Sequence, residues 1–231
     1  FFQLSLGDRE LDEQMMIMST DLYNVAMHRV VVAEQRKHGF INERVEEEYL
    51  KGVEHTLTPE SEDDDERALR LLTLLDALVF FGDHLAKYEE QLQNNYPKAL
   101  AAAKKIYAEI TKKPIKNAFD MWRSIVKIYS LYDQQMEEWG LPALNNDKFT
   151  TLSPVLSERQ LRLEVRQVFE IFNSGMKDRK TGKPAYVGLR RNIGQNSFTT
   201  AKHSPEEFKQ LYDQPVKKFL EQNHIPYIIR K

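Results

Sequence analysis

Between positions 177 and 202 the sequence sets Lys177, Arg179, Lys180, Lys183, Arg190, Arg191 and Lys202 against a single acid, Asp178. Guanidinium and ammonium groups at that density can grip phosphate oxygens or an acidic protein face, because charge-assisted hydrogen bonds to oxyanions are short and strong. Tyr186, Asn192, Gln195, Asn196 and Phe198 are interleaved with them and add stacking and hydrogen-bonding capacity. A merely solvated basic loop is the plain alternative. The stretch matches no nucleic-acid-binding module, so an acidic protein ranks first as partner, nucleic acid or anionic lipid second, and a catalytic phosphate site last.

Other chemistries fail on spacing. Helical bundles that hold paired metals use two Glu-x-x-His motifs, each presenting both ligands on one helix face. Only Glu221 and His224 have that spacing here, once, and no His-Glu-x-x-His occurs. Gly182-Lys183 has the dipeptide of a phosphate-binding loop. However, Gly175 lies seven residues upstream where five are required, and Pro184 replaces the hydroxyl residue. Gly188 and Gly194 lack the dinucleotide-binding pattern, and neither a Gly-x-Ser-x-Gly elbow nor a kinase signature is found. The absence of cysteine removes disulfides, thiolate chemistry, iron–sulfur clusters and Cys-based zinc sites. No cofactor, metal or catalytic residue is expected. His84 reads as a helix-boundary histidine, and Met15-Met16-Ile17-Met18 as adaptable core packing.

The elements that must carry these residues are mostly helical. Ile115, Ala118, Trp122, Ile125, Tyr129, Tyr132, Met136 and Trp139 step alternately by three and four, as do Leu71, Leu74, Leu78, Phe81, Leu85, Tyr88 and Leu92. That alternation keeps side chains on one helical stripe, which is buried by laying it along another helix. A helix from about Asp8 to Lys37 ends at Gly39, and a shorter acidic one runs from Ile41 to His55. Thr58-Pro59-Glu60-Ser61 reads as the start of the next, with proline at the first helical position, and the acids at 60–66 favour its dipole. That helix is expected to run through Leu92 to a break at Asn94, Asn95 and Pro97.

Beyond Gly140 the pattern changes. The segment 141–153 has no period and reads as a linker. Ser157-Glu158-Arg159-Gln160 and Ser204-Pro205-Glu206-Glu207 are capping boxes. The first opens a helix expected to reach Asn173, burying Leu161, Val165, Val168, Phe169 and Phe172. The second opens a helix that Pro215 should break. Residues 185–189 and 225–229 read as short strands that could pair.

The fold class expected is therefore mainly α: an elongated antiparallel bundle of three to four long helices at 1–140, then the linker 141–153. A small helical or α+β domain follows at 154–231, with the basic loop at 174–203. The net charge of −2 hides a division. Residues 141–231 hold 16 Lys/Arg against 9 Asp/Glu, leaving 17 against 26 in 1–140, so the halves carry +7 and −9. No apolar run approaches the ~20 residues of a spanning helix. No secretory signal is visible, although the start at Phe1 rather than Met leaves a preceding segment open, and a cytoplasmic location is the default.

The function expected on these grounds is non-enzymatic: an adaptor, scaffold or accessory subunit of a larger protein assembly, a profile that a bacterial secretion-system adaptor would fit. Two alternatives stand beside it. One is a secreted effector or enzyme acting on a phosphate-bearing substrate through the basic loop, with His203 or His224 as acid–base. The other is a nucleic-acid-binding module.

Overall fold

After a two-residue strand, β1 (Leu4–Ser5), the chain enters its longest helix, α1 (Arg9–Lys37), in a computed structural model that describes residues 1–61 and 66–230. The Asp8 carboxylate accepts from the N–H groups of Glu10 and Leu11 at 2.9 and 3.1 Å, satisfying two donors that have no partner within the helix. Gly39, at φ +73°, follows the end of α1. Asn42 then caps α2 (Glu43–Thr56) through its side chain.

Here the first correction arises. Residues 57–61 are not helical, and α3 is Arg67–Phe81. The acids at 62–65 lie outside the described residues. Glu60, expected in the first turn of that helix, instead caps another one. Its two carboxylate oxygens accept from the N–H groups of Lys98 and Ala99, at 3.0 and 2.7 Å, at the start of a helix opened by Pro97. A negative group at that end is favoured by the helix dipole. The continuous helix expected through Leu92 also stops early. Gly82 adopts φ +52°, a tight 3-10 segment spans Gly82–Lys87, and α4 (Glu89–Asn95) and α5 (Pro97–Thr111) follow. The apolar seam is thus carried by three successive pieces, with Leu71, Leu74, Leu78, Phe81, Tyr88 and Leu92 all buried.

The other seam lies on α6 (Ala118–Glu138), where Trp122, Ile125, Tyr129, Tyr132 and Met136 are buried. A helical turn, α7 (Asn146–Phe149), sits inside the segment read as a linker, and Asn146, Phe149, Thr150 and Leu152 are buried there.

The C-terminal elements are β2 (Val155–Leu156), α8 (Glu158–Arg162), α9 (Val165–Val168), β3 (Phe169–Asp178), β4 (Pro184–Arg190), β5 (Asn196–Ala201), α10 (Pro205–Asp213), α11 (Val216–Gln222) and β6 (Ile228–Ile229). Both capping boxes form, at Ser157 with Gln160 and at Ser204 with Glu207, and Pro215 separates α10 from α11. Two expectations fail. The helix from Ser157 ends at Arg162, the short α9 follows, and Phe169 then turns extended and starts a strand paired along β4, leaving Phe172 36% exposed rather than buried. The C-terminal strand pairs with β2 in parallel, not with 185–189, which are flanked on both sides by other strands.

The protein is thus mainly α, with eleven α-helices among the described residues, and carries a four-stranded antiparallel sheet in the order β1-β3-β4-β5. Among the described residues only α1 and α6, of 29 and 21 residues, exceed the roughly 20 residues that bound an ordinary globular helix. The chain divides into two compact units: 1–19 with 117–130 and 144–231, which holds the sheet, and 20–116 with 131–143, which is helical.

In the sheet-bearing unit successive side chains point to opposite faces of each strand, so the sheet separates two cores. Ala185, Val187 and Leu189 join Leu4 and Phe149 on one side. Phe169 and Phe198 join Leu161, Leu211 and Phe219 on the other. Gly188 lies against the Phe198 ring, and a Cβ there would fall 2.1 Å from a ring carbon.

Candidate functional site

The register of the sheet sorts the seven cations into two groups. Lys177 pairs with Pro184, and Ala185 with Ala201, so Lys177, Lys183 and Lys202 lie at the same end of the strands, beside Arg179 and Lys180 of the β3–β4 turn. Arg190 and Arg191 lie at the opposite end of β4. Arg190 is five residue steps from Ala185, about 16 Å at the ~3.3 Å rise of a strand.

The turn end is built by its one acid. The Asp178 carboxylate accepts from the N–H groups of Lys180 and Thr181, at 3.1 and 2.7 Å, and from the Thr181 hydroxyl at 2.8 Å. Its partial burial would push it up, but the Thr181 and Lys180 donors outweigh that and hold it below the usual carboxylate range. Asp178 is therefore spent on folding the turn. Gly182, at φ +67°, closes it, with its N–H on the Asp178 carbonyl. Lys177, Arg179, Lys180, Lys183 and Lys202 are all exposed, and none of them forms an ion pair among the described residues. The Arg179 backbone N–H is held by the Gln3 carbonyl at 2.9 Å, and its guanidinium rests on the Met16 sulfur.

The other end is different. Arg190 is 7% exposed. Its guanidinium lies 4.9 Å from the centre of the Trp122 ring and donates to the Val155 carbonyl at 3.0 Å and to Gln160 Oε1 at 3.4 Å. Burial, with a smaller contribution from Arg230, lowers its pKa. Arg191 is exposed, but it donates to the Arg166 carbonyl at 2.7 Å and sits 3.7 Å from Glu170. Of the interleaved polar and aromatic residues, Asn192 is exposed and Tyr186 half-buried. Gln195, Asn196 and Phe198 are buried, and the two amides hold the carbonyls of Thr150 and Lys148. Of the candidate acid–bases, His203 bonds to the Thr200 hydroxyl at 2.9 Å, and His224 is exposed at φ +53°.

A second polar assembly, in the helical unit, has no counterpart in the sequence reading. Asp21, Asn24 and His28 fall on one face of α1 at spacings of three and four. Leu69, Leu72, Thr73 and Asp76 do the same on α3, and Tyr49 comes from α2. Together they line a cavity of about 160 Å3. His28 Nδ1 is 2.7 Å from Asp76 Oδ1, and the Tyr49 hydroxyl donates to Asp76 Oδ2 at 3.0 Å. Tyr49 is itself fixed by stacking on Phe80, with ring centres 3.8 Å apart. The hydrogen bond to Asp76 raises the His28 pKa against the opposing effect of burial. Burial and the Asp76 charge raise the Asp21 carboxyl. The interruption of the apolar run 69–81 by Thr73 and Asp76 was the available sequence signal. Its partners lie on other helices, beyond the reach of any local motif.

Elsewhere in the helical unit, Glu46 is 3% exposed and accepts from Arg36 at 2.6 Å and Tyr88 at 3.1 Å, with His84 Nδ1 at 2.8 Å. Burial would raise its pKa, but these three partners outweigh it and the net shift is downward. Among the described residues no group of three or more His, Asp or Glu side chains converges as a metal site would. Likewise, no helix is long and apolar enough to cross a membrane.

Comparison with known proteins gives no relative: no family model, curated protein or solved structure matches the chain.

Proposed function

We propose that this chain is a non-enzymatic adaptor or accessory subunit, acting in the cytoplasm, that docks an acidic face of another protein through the β3–β4 end of its sheet. The observation that supports this reading is the group of five exposed cations, Lys177, Arg179, Lys180, Lys183 and Lys202, brought to one end of the sheet without ion-pair partners among the described residues. Exposed charges of one sign on a folded turn steer association and fix its register, while costing little to hold in place. Arg190 belongs to the framework of this surface rather than to its contact area, because its donors are occupied. Arg191 lies at the far end and adds a weaker, partly compensated charge.

Affinity purification from the native host with mass spectrometry, run at low and high salt, tests the reading. The expected result is a stoichiometric protein partner that Lys180→Glu/Lys183→Glu fails to retain and that high salt releases. Recovery of nucleic acid in its place, removed by the same substitutions, would transfer the site to the nucleic-acid reading. Retention of the partner by the variant at every salt concentration would place the interface elsewhere.

A further inference from the structure

We infer that the cavity between α1, α2 and α3 is a binding site for an alkylammonium group, a compact cation on a short apolar chain. The inference is independent of the docking reading, which concerns the sheet-bearing unit.

The argument starts from charge. Three ionisable groups meet at the cavity: the carboxylates of Asp21 and Asp76, and His28. His28 is held to Asp76 at 2.7 Å, and its raised pKa favours the imidazolium. That pairing engages one of the two carboxylates. The Asp76 oxygens already accept from His28 and Tyr49. Asp21 receives no hydrogen bond among the described residues, and its raised pKa reports an anion that burial and Asp76 make uncomfortable. A bound cation removes that penalty by supplying the missing donor and charge together.

Size and lining narrow the ligand further. A cavity of roughly 150 Å3 holds a ligand of benzene size, and this one is about 160 Å3. An ammonium has three donors and no acceptor, which suits a wall that includes Asp21, Asp76, Asn24 and Thr73. Leu69 and Leu72 provide apolar surface for a short alkyl chain. A free amine and a lysine side chain share the required chemistry.

The test is a titration of the full chain followed by two-dimensional amide NMR, at ionic strength held constant with sodium chloride. The probes are n-butylammonium chloride, Nα-acetyl-lysine amide, sodium butyrate and n-butanol. The expected result is saturable shifts at the amides of Asp21, Asn24, His28 and Thr73 with n-butylammonium and none with butyrate. Tighter binding of the lysine amide would assign the site to a lysine side chain, and tighter binding of n-butylammonium to a free amine. Asp21→Asn, which removes no hydrogen bond among the described residues, should weaken binding about tenfold or more through the loss of one charge-assisted contact. The inference fails if n-butylammonium gives no saturable shift, if n-butanol binds as tightly, or if Asp21→Asn leaves the affinity unchanged.

Discussion

At the β3–β4 turn of the sheet, Lys180 and Lys183 stand in solvent on a loop organised by Asp178. At the other end of the same β4 strand, Arg190 lies over the Trp122 ring with its donors on Val155 and Gln160. In the sequence these are equivalent members of one basic stretch. In the fold they divide by environment. A cation at a turn is displayed, whereas a cation whose side chain reaches residues of β2, α8 and α6 is a structural pillar. Charge density along a chain therefore marks where cations gather, and strand register decides which of them a partner can reach.

The sharpest way to break this contrast is Arg190→Glu. The substitution removes two hydrogen bonds made by a charged donor and leaves an unpaired carboxylate facing a carbonyl and the negative face of an indole. It is expected to destabilise the protein by about 3–5 kcal/mol, the usual cost of stranding a buried charge. Urea denaturation measures it. A loss below about 0.5 kcal/mol would mean that Arg190 is no more structural than an ordinary surface residue.

Gly188→Ala probes the packing that holds the two ends in register. A Cβ at Gly188 meets the Phe198 ring at 2.1 Å, and Phe198 packs edge-on against Phe169 and Phe219. Overpacking of this kind is expected to cost about 1–3 kcal/mol. Because the clash is with the ring, Phe198→Leu should recover part of that loss in the double variant. Full additivity of the two costs would show that the ring had already moved away.

These two sites also explain what the sequence made legible. The caps at Ser157 and Ser204, the break at Pro215 and the buried stripe Trp122 to Met136 were readable because each depends on residues within one or two helical turns. The strand Phe169–Asp178 was not. Leu161, Val165, Val168, Phe169 and Phe172 satisfy a helical spacing, and what overrides it is pairing with β4, a partner defined only by the fold. The helix start at Thr58-Pro59 was misread for a similar reason: Glu60 is used by α5, some 38 residues further on. The candidate sites follow the same rule. The cations were visible as composition, but the burial of Arg190 was not. His28, Tyr49 and Asp76, on three helices, leave no spacing to detect.

Glu46 extends the comparison to a buried charge of the opposite sign that is paired. Its folded pKa lies below the ordinary glutamate value because Arg36, Tyr88 and His84 outweigh the effect of burial. A depressed folded pKa contributes stability that is present above the unfolded pKa, near ~4.5, and is lost as pH falls through the folded value. The denaturation midpoint should therefore fall as pH drops below about 4.5, and fall less steeply in Glu46→Gln. Parallel pH profiles for the two proteins would show that Glu46 is not the group responsible. Arg190, with no titratable partner, should add no such slope at acid pH.

Lys180→Glu/Lys183→Glu is the counterpart of Arg190→Glu and carries the smallest expected effect on stability. Both side chains are exposed and form no ion pair among the described residues, so the change should stay within about 0.5 kcal/mol. The turn itself should persist, because Asp178 is held by the backbone N–H groups of residues 180 and 181 and by the Thr181 hydroxyl, all of which the variant keeps. What should change is association. Charges on a solvent-exposed turn act over about 8 Å at physiological ionic strength, so binding of an acidic partner should weaken most at low salt, where screening is least. Unfolding curves that coincide with the parent, combined with loss of low-salt binding, would separate display from support at the two ends of one strand. A variant that unfolds early would show instead that the turn cations also support the fold, and the distinction between the ends would collapse.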